Sequence, residues 1–96
     1  MEINTKQRAY LRSLAAKYEP IYYVGKAGLT PDLTQGVDEA LAKRELVKVG
    51  VQKNCPEDIK FIGEALSGRT KSVLVQIMGK KITLYRPAEK PKIELP

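Results

Sequence analysis

The chain has no histidine, no tryptophan and a single cysteine in 96 residues. Without histidine there is no imidazole base, no Ser–His or Cys–His pair, and no His-bearing metal site. A lone Cys55 closes no internal disulfide and supplies no cysteine-rich zinc site. That suits a reducing compartment. No apolar run approaches the ~20 residues of a membrane span. The opening MEINTKQRAY lacks the apolar stretch of a signal peptide. The expectation is a cytoplasmic protein with no catalytic residues, no metal, no cofactor and no membrane contact.

The size points to one domain over residues 1–96. The hydrophobic share of 43% is ordinary for a folded domain and implies one modest core. What the chain has in excess is positive charge: 17 Lys and Arg against 11 Asp and Glu, a net +6. The charge is segregated. From Ile3 to Tyr18 stand Lys6, Arg8, Arg12 and Lys17 with no acid, and from Ala65 to Ala88 stand Arg69, Lys71, Lys80, Lys81 and Arg86, again with none. The acids gather between, from Asp32 to Glu64. Such a balance points first to a polyanionic partner.

Hydrophobic spacing predicts a helix from Thr5 to Tyr18, with Leu11, Leu14, Ala15 and Tyr18 on one face and Asn4/Gln7 as a capping box. Glu19-Pro20 ends it. Ile21–Val24 reads as a strand. Thr30-Pro31-Asp32 is a helix start, with Thr30 as cap, and the helix runs to about Arg44. Leu46–Val51 is a strand. A third helix starts within Asn54–Asp58, places Ile59, Ile62 and Leu66 on one face and stops at Gly68. Val73–Met78 and Lys81–Arg86 form a hairpin about Gly79-Lys80. The tail, residues 87–96, is extended by Pro87, Pro91 and Pro96. The order is α-β-α-β-α-β-β, an α/β (α+β sandwich) fold with a mixed sheet. Strict alternation puts Val47, Val49, Val51, Val73, Val75, Ile77, Ile82 and Leu84 on one apolar face. The other face is half polar.

Gly25-Lys26-Ala27-Gly28 is the most informative segment. Its glycines let backbone approach a ligand, it feeds a helix N-terminus, and Lys26 adds a cation. Together these suit a phosphate clamp, as in the Gly-x-x-Gly loop of KH domains. Read alone, the pattern is also a common strand-to-helix turn. A nucleotide P-loop is excluded, because the upstream glycine and the Ser/Thr after Lys are missing.

Four segments together resemble the CRM domain family in its stand-alone bacterial, YhbY-type form: Thr5-Lys6-Gln7, Val24-Gly25-Lys26-Ala27-Gly28-Leu29-Thr30, Glu45-Leu46-Val47-Lys48-Val49, and Gly79-Lys80-Lys81-Ile82-Thr83-Leu84-Tyr85-Arg86-Pro87. The resemblance runs from about Asn4 to Leu95. It implies a fold similar to the C-terminal domain of translation initiation factor three, a four-stranded mixed sheet of order 1-2-4-3 with helices packed on it. It also implies RNA binding through the Gly-x-x-Gly loop. The RNA implied is ribosomal RNA in precursors of the large (50S) subunit, and the expected binder is a monomer without catalysis.

The candidate RNA-binding residues are therefore Gly25, Lys26, Ala27 and Gly28, with Thr30 as both cap and contact. Arg8 and Arg12, one turn apart on the first helix, Lys48 in mid-strand, Lys80 and Lys81 at the hairpin, and Arg86 complete the set. Each has a structural reading beside the functional one: a solvated helix face for Arg8 and Arg12, an aliphatic stem over apolar neighbours for Lys48, and a pair with an acid such as Glu45 for Arg86. Lys80 and Lys81 are also ordinary turn residues. Tyr22, Tyr23 and Tyr85 are candidates for base stacking, ranked below packing. Cys55 reads as incidental. The alternative to RNA is an acidic protein partner in ribosome assembly, docked on the same surface.

Overall fold

In a computed structural model describing residues 1–96, α1 (Thr5–Ala15) opens on a reciprocal cap. The Gln7 N–H donates to Asn4 Oδ1 at 2.8 Å, and the Asn4 N–H donates to Gln7 Oε1 at 3.1 Å. The helix stops at Ala15, short of the predicted Tyr18. The Tyr18 N–H turns back to the Ala15 carbonyl, and Tyr18 is exposed. The chain has already left the helix before Glu19-Pro20 forbids it.

The remaining elements are β1 (Tyr22–Val24), α2 (Pro31–Arg44), β2 (Leu46–Val51), α3 (Ile59–Thr70), β3 (Val73–Met78) and β4 (Lys81–Tyr85). The predicted order holds. The sheet runs β1-β2-β4-β3, with β1 parallel to β2 and the other pairings antiparallel. Thr30 caps α2, its hydroxyl accepting from the Leu33 N–H at 3.1 Å. α3 starts later than predicted, at Ile59, so Pro56 and Glu57 lie before it. It also passes through Gly68 to Thr70. A glycine costs a helix only about 1 kcal/mol, and buried Leu66 and Thr70 hold the last turn against the sheet.

α2 and α3 cover one sheet face. There Val24, Val47, Val49, Val51, Ile82 and Leu84 meet Val37, Leu41, Ile62 and Leu66. On the other face Leu11 and Ala15 of α1 meet Leu46, Val75 and Tyr85, with Ile93 and Leu95 of the tail against them. α1 thus covers part of the half-polar face. The predicted alternation fails in β3. Leu74 pairs with Leu84 and Gln76 with Thr83, which leaves Val75 as a bulge. Val75 therefore joins the α1 side, Val73 pairs with Tyr85, and Leu74 packs with the α2–α3 core. Arg8 Nη1 donates to the carbonyls of both Leu74 and Val75 at 2.7 Å, serving the acceptors that the bulge displaces.

Glu45 joins α2 to β2 at φ 67, a conformation usually left to glycine. Its side chain explains the choice. The carboxylate is 1% exposed and accepts from the N–H groups of Ala88 (2.8 Å), Lys92 (2.8 Å) and Ile93 (3.0 Å). Each bond to a charged acceptor is worth about 1.5–3 kcal/mol, against about 1–3 kcal/mol for one strained residue. The latch wins, and it folds the tail back under α1. Burial alone would raise the Glu45 carboxyl, but the three N–H donors and the Lys92 ammonium outweigh it and hold it below the ordinary carboxylate value. Burial, with the Glu45 charge beside it, pushes the Tyr85 phenol up.

Because the native carboxyl titrates below its unfolded value, its contribution is complete above the ordinary carboxylate range and is lost as pH falls through the native value. Glu45→Gln is expected to cost about 1–3 kcal/mol at neutral pH, measured by urea denaturation. The stability curves of wild type and variant should converge on acidification; parallel curves would contradict the latch.

Candidate functional site

The parallel pairing of β1 with β2 ends both strands at the same edge, and the β3–β4 turn lies there too. Val24 pairs with Val51, and the Val51 N–H donates to the Lys80 carbonyl at 2.8 Å. Three loops therefore meet: Gly25–Thr30, Gln52–Asp58 and Gly79-Lys80. The Gln52 N–H, bonded to the Val24 carbonyl at 2.8 Å, ties the first two together.

Within the first loop the Gly28 N–H donates to the Gly25 carbonyl at 2.9 Å, closing a tight turn. Gly28 sits at φ +70, and a Cβ there would come within 2.7 Å of Glu57 Oε1. Gly28 is thus required by backbone geometry and by its neighbour together. Gly25 is less constrained: its φ is not positive, and a Cβ would crowd only the far end of the flexible Gln52 side chain, at 2.6 Å, with Asn54 Oδ1 at an ordinary 3.7 Å. Lys26 and Ala27 are exposed at the tip. Their N–H groups donate to nothing within the chain. The tip offers two backbone donors and one ammonium group, a set that suits an oxyanion.

Glu57 is the residue that sequence reading missed. Its carboxylate accepts from the Leu29 N–H at 2.9 Å. That carboxylate sits just before the Thr30 cap, on the side of the positive end of α2. The Leu33 N–H is taken by the Thr30 hydroxyl, while the N–H groups of Thr30 and Asp32 join those of Lys26 and Ala27 in having no partner within the chain. Spacing within α3 placed Glu57 in a first helical turn, and no local pattern signals a contact with a residue so far back in the chain.

The loop end also holds Lys80 and Lys81, both exposed, together with exposed Gln52, Lys53 and Asn54. The other predicted residues lie elsewhere. Arg8 is bound to the β3 bulge. Arg12 is exposed on α1. Lys48 is 9% exposed and lines a cleft of about 570 Å³ beneath Tyr18–Ile21 and the tail. Arg86 is at the opposite end of the sheet. Its guanidinium meets Asp38 Oδ1 at 2.6 Å, the Asp38 carbonyl at 2.9 Å and the Thr70 carbonyl at 2.7 Å. Its acidic partner is thus Asp38, and Glu45 contributes only a carbonyl that accepts from the Arg86 N–H at 2.8 Å. No helix is long and apolar enough to cross a membrane.

Residues 3–86 match the family described as the CRS1 / YhbY (CRM) domain. A Bacillus subtilis protein named "Probable RNA-binding protein YqeI" is 45% identical over 92 residues, covering 95% of this chain and 96% of that one. A Haemophilus influenzae protein named "RNA-binding protein" is 37% identical over 94 residues, 98% of this chain and 95% of that one. The solution structure of SAV1595 from Staphylococcus aureus superposes with a TM-score of 0.83 at 43% identity, covering 99% of this chain and all of that one.

The two loop glycines should respond differently to substitution. Gly28→Ala is expected to destabilise the fold by about 1–3 kcal/mol, and Gly25→Ala by clearly less, both read by urea denaturation. Equal losses would show that Glu57 and the positive φ do not set the requirement.

Proposed function

The chain belongs to the CRS1 / YhbY (CRM) domain family, and we propose that it is a non-catalytic RNA-binding protein whose contact surface is the loop end of the sheet. The observation that carries this reading is the exposed Lys26-Ala27 tip, with two free backbone donors beside a lysine, in one cluster with Lys53, Lys80 and Lys81. Backbone N–H groups and ammonium groups recognise phosphate oxygens without reading sequence. Two relatives named as RNA-binding proteins match nearly their whole length to this chain.

In this account Gly25 and Gly28 shape the loop, and Lys26 with the Ala27 N–H holds a phosphate. Lys80 and Lys81 extend the contact along the backbone, and Arg12 is the candidate on α1 left free to join it. Arg8 and Arg86 serve the fold, Thr30 serves as a cap, and Lys48 lines its own cleft. The partner is structured ribosomal RNA of the large subunit during assembly, bound in the cytoplasm by a monomer. Crosslinking in cells with sequencing of the attached RNA is expected to enrich large-subunit ribosomal RNA. Enrichment of other RNAs alone would overturn the choice of partner. Co-sedimentation with ribosomal particles that survives ribonuclease would instead assign the surface to an acidic protein.

Lys26→Ala is expected to weaken RNA binding and to lower the slope of log affinity against log salt by about one, with the fold intact. Gly28 is left unchanged in this test because altering it disturbs Glu57. Arg86→Ala, as a control, should lower stability and leave the salt slope unchanged. Unchanged affinity and slope in folded Lys26→Ala would remove the loop from the site.

A further inference from the structure

The covered part of the α1-side sheet face ends before the loop end. One rung remains open. Pairing of Tyr23 with Gly50, Gly50 with Lys81, and Lys81 with Met78 sets these residues side by side across all four strands, on one face. Tyr23 is 56% and Met78 65% exposed. The Tyr23 ring has a defined seat. A Cβ on Gly50 would lie 2.6 Å from both Tyr23 Cδ1 and Cε1, so the ring rests over bare backbone, with Pro20 beside that seat. The two other strand tyrosines differ: Tyr85 is buried and Tyr22 is packed against the α2–α3 core.

An aromatic laid over a strand glycine is a recognised way to steady a sheet. That role accounts for where the ring sits. It does not require the surroundings to be cationic, and they are. Tyr23, Gly50, Gln52, Met78, Lys80 and Lys81 line a shallow cleft of about 410 Å³ that no acidic residue lines. The cleft adjoins the Gly25–Gly28 loop, because Gln52 borders both.

We infer that this rung is a seat for an unpaired base of the bound RNA, stacked on Tyr23, with its flanking phosphates on Lys80 and Lys81. The inference rests on the RNA-binding reading above and adds a preference within it. A base inside a duplex has both faces covered by its neighbours. Only a looped-out or single-stranded base presents a face to an aromatic ring. Met78 supplies a soft apolar wall across the rung. The protein would then favour RNA that combines a structured backbone with an unstacked base.

The test uses the full chain and two labelled RNAs, a hairpin with an unpaired loop and a blunt duplex of equal charge. Tyr23→Ala is expected to bind the hairpin about tenfold more weakly, with duplex affinity and salt slope unchanged. Tyr23→Phe should bind as wild type. Tyr23→Leu, which still covers Gly50, should lose as much as Tyr23→Ala, so the result does not depend on the alanine variant's stability. Hairpin affinity unchanged in both Tyr23→Ala and Tyr23→Leu would overturn the inference. So would an equal loss in Tyr23→Phe, or polyglutamate competing as well as the hairpin. If the wild-type protein binds neither RNA, the RNA-binding reading falls first and this inference with it; binding that ignores Tyr23 sinks this inference alone.

Discussion

The pairing of β2 on both edges is the constraint on which the rest of the molecule depends. All of its residues are buried, Lys48 included. Its parallel edge faces β1 and its antiparallel edge faces β4. That combination brings the outgoing ends of β1 and β2 to the edge where β3 turns into β4. The Gly25–Thr30 loop, the Gln52–Asp58 loop and the hairpin turn are neighbours for this reason. Were β4 parallel to β2, Lys80 and Lys81 would sit at the far end from Lys26.

Two carboxylates hold what the sheet alone does not. Glu45 takes three backbone donors from the tail at one end, and Glu57 takes the Leu29 donor at the other. In a chain of net +6 the hydrogen bonds of these two acids all come from backbone N–H groups, with the Lys92 ammonium adding only its charge beside Glu45. The cations are sorted correspondingly. Arg8 and Arg86, whose guanidinium groups donate in several directions, serve backbone carbonyls. Lys26, Lys53, Lys80 and Lys81 remain exposed at the loop end. Charge counted along the chain overstates the surface available to a polyanion, since two of the arginines it counts are structural.

Local signals in the sequence carry much of this fold. The Asn4–Gln7 box, the Thr30-Pro31 start, the glycine-first hairpin and the element order all depend on neighbours a few residues apart. The departures from local pattern share a cause. The bulge at Val75 switches the faces of β3, and strict alternation has no term for an inserted residue. The contact of Glu57 with the Gly28–Leu29 backbone and the grip of Glu45 on the tail span 28 and more than 40 residues, beyond any periodicity. The core of the candidate site, Gly25 to Gly28, was legible because its glycine spacing is local. Which cations join it was not, because that depends on the sheet register.

The central claim is that RNA meets the loop end of the sheet. Backbone amide chemical-shift mapping, with an RNA hairpin titrated into isotope-labelled protein, tests it most directly. The account predicts shifts concentrated at Tyr23–Thr30, Gln52–Asn54 and Met78–Lys81, with the amides around Glu45, Arg86 and the tail unmoved. Shifts centred on the Glu45 end, or on α1 alone, would contradict it.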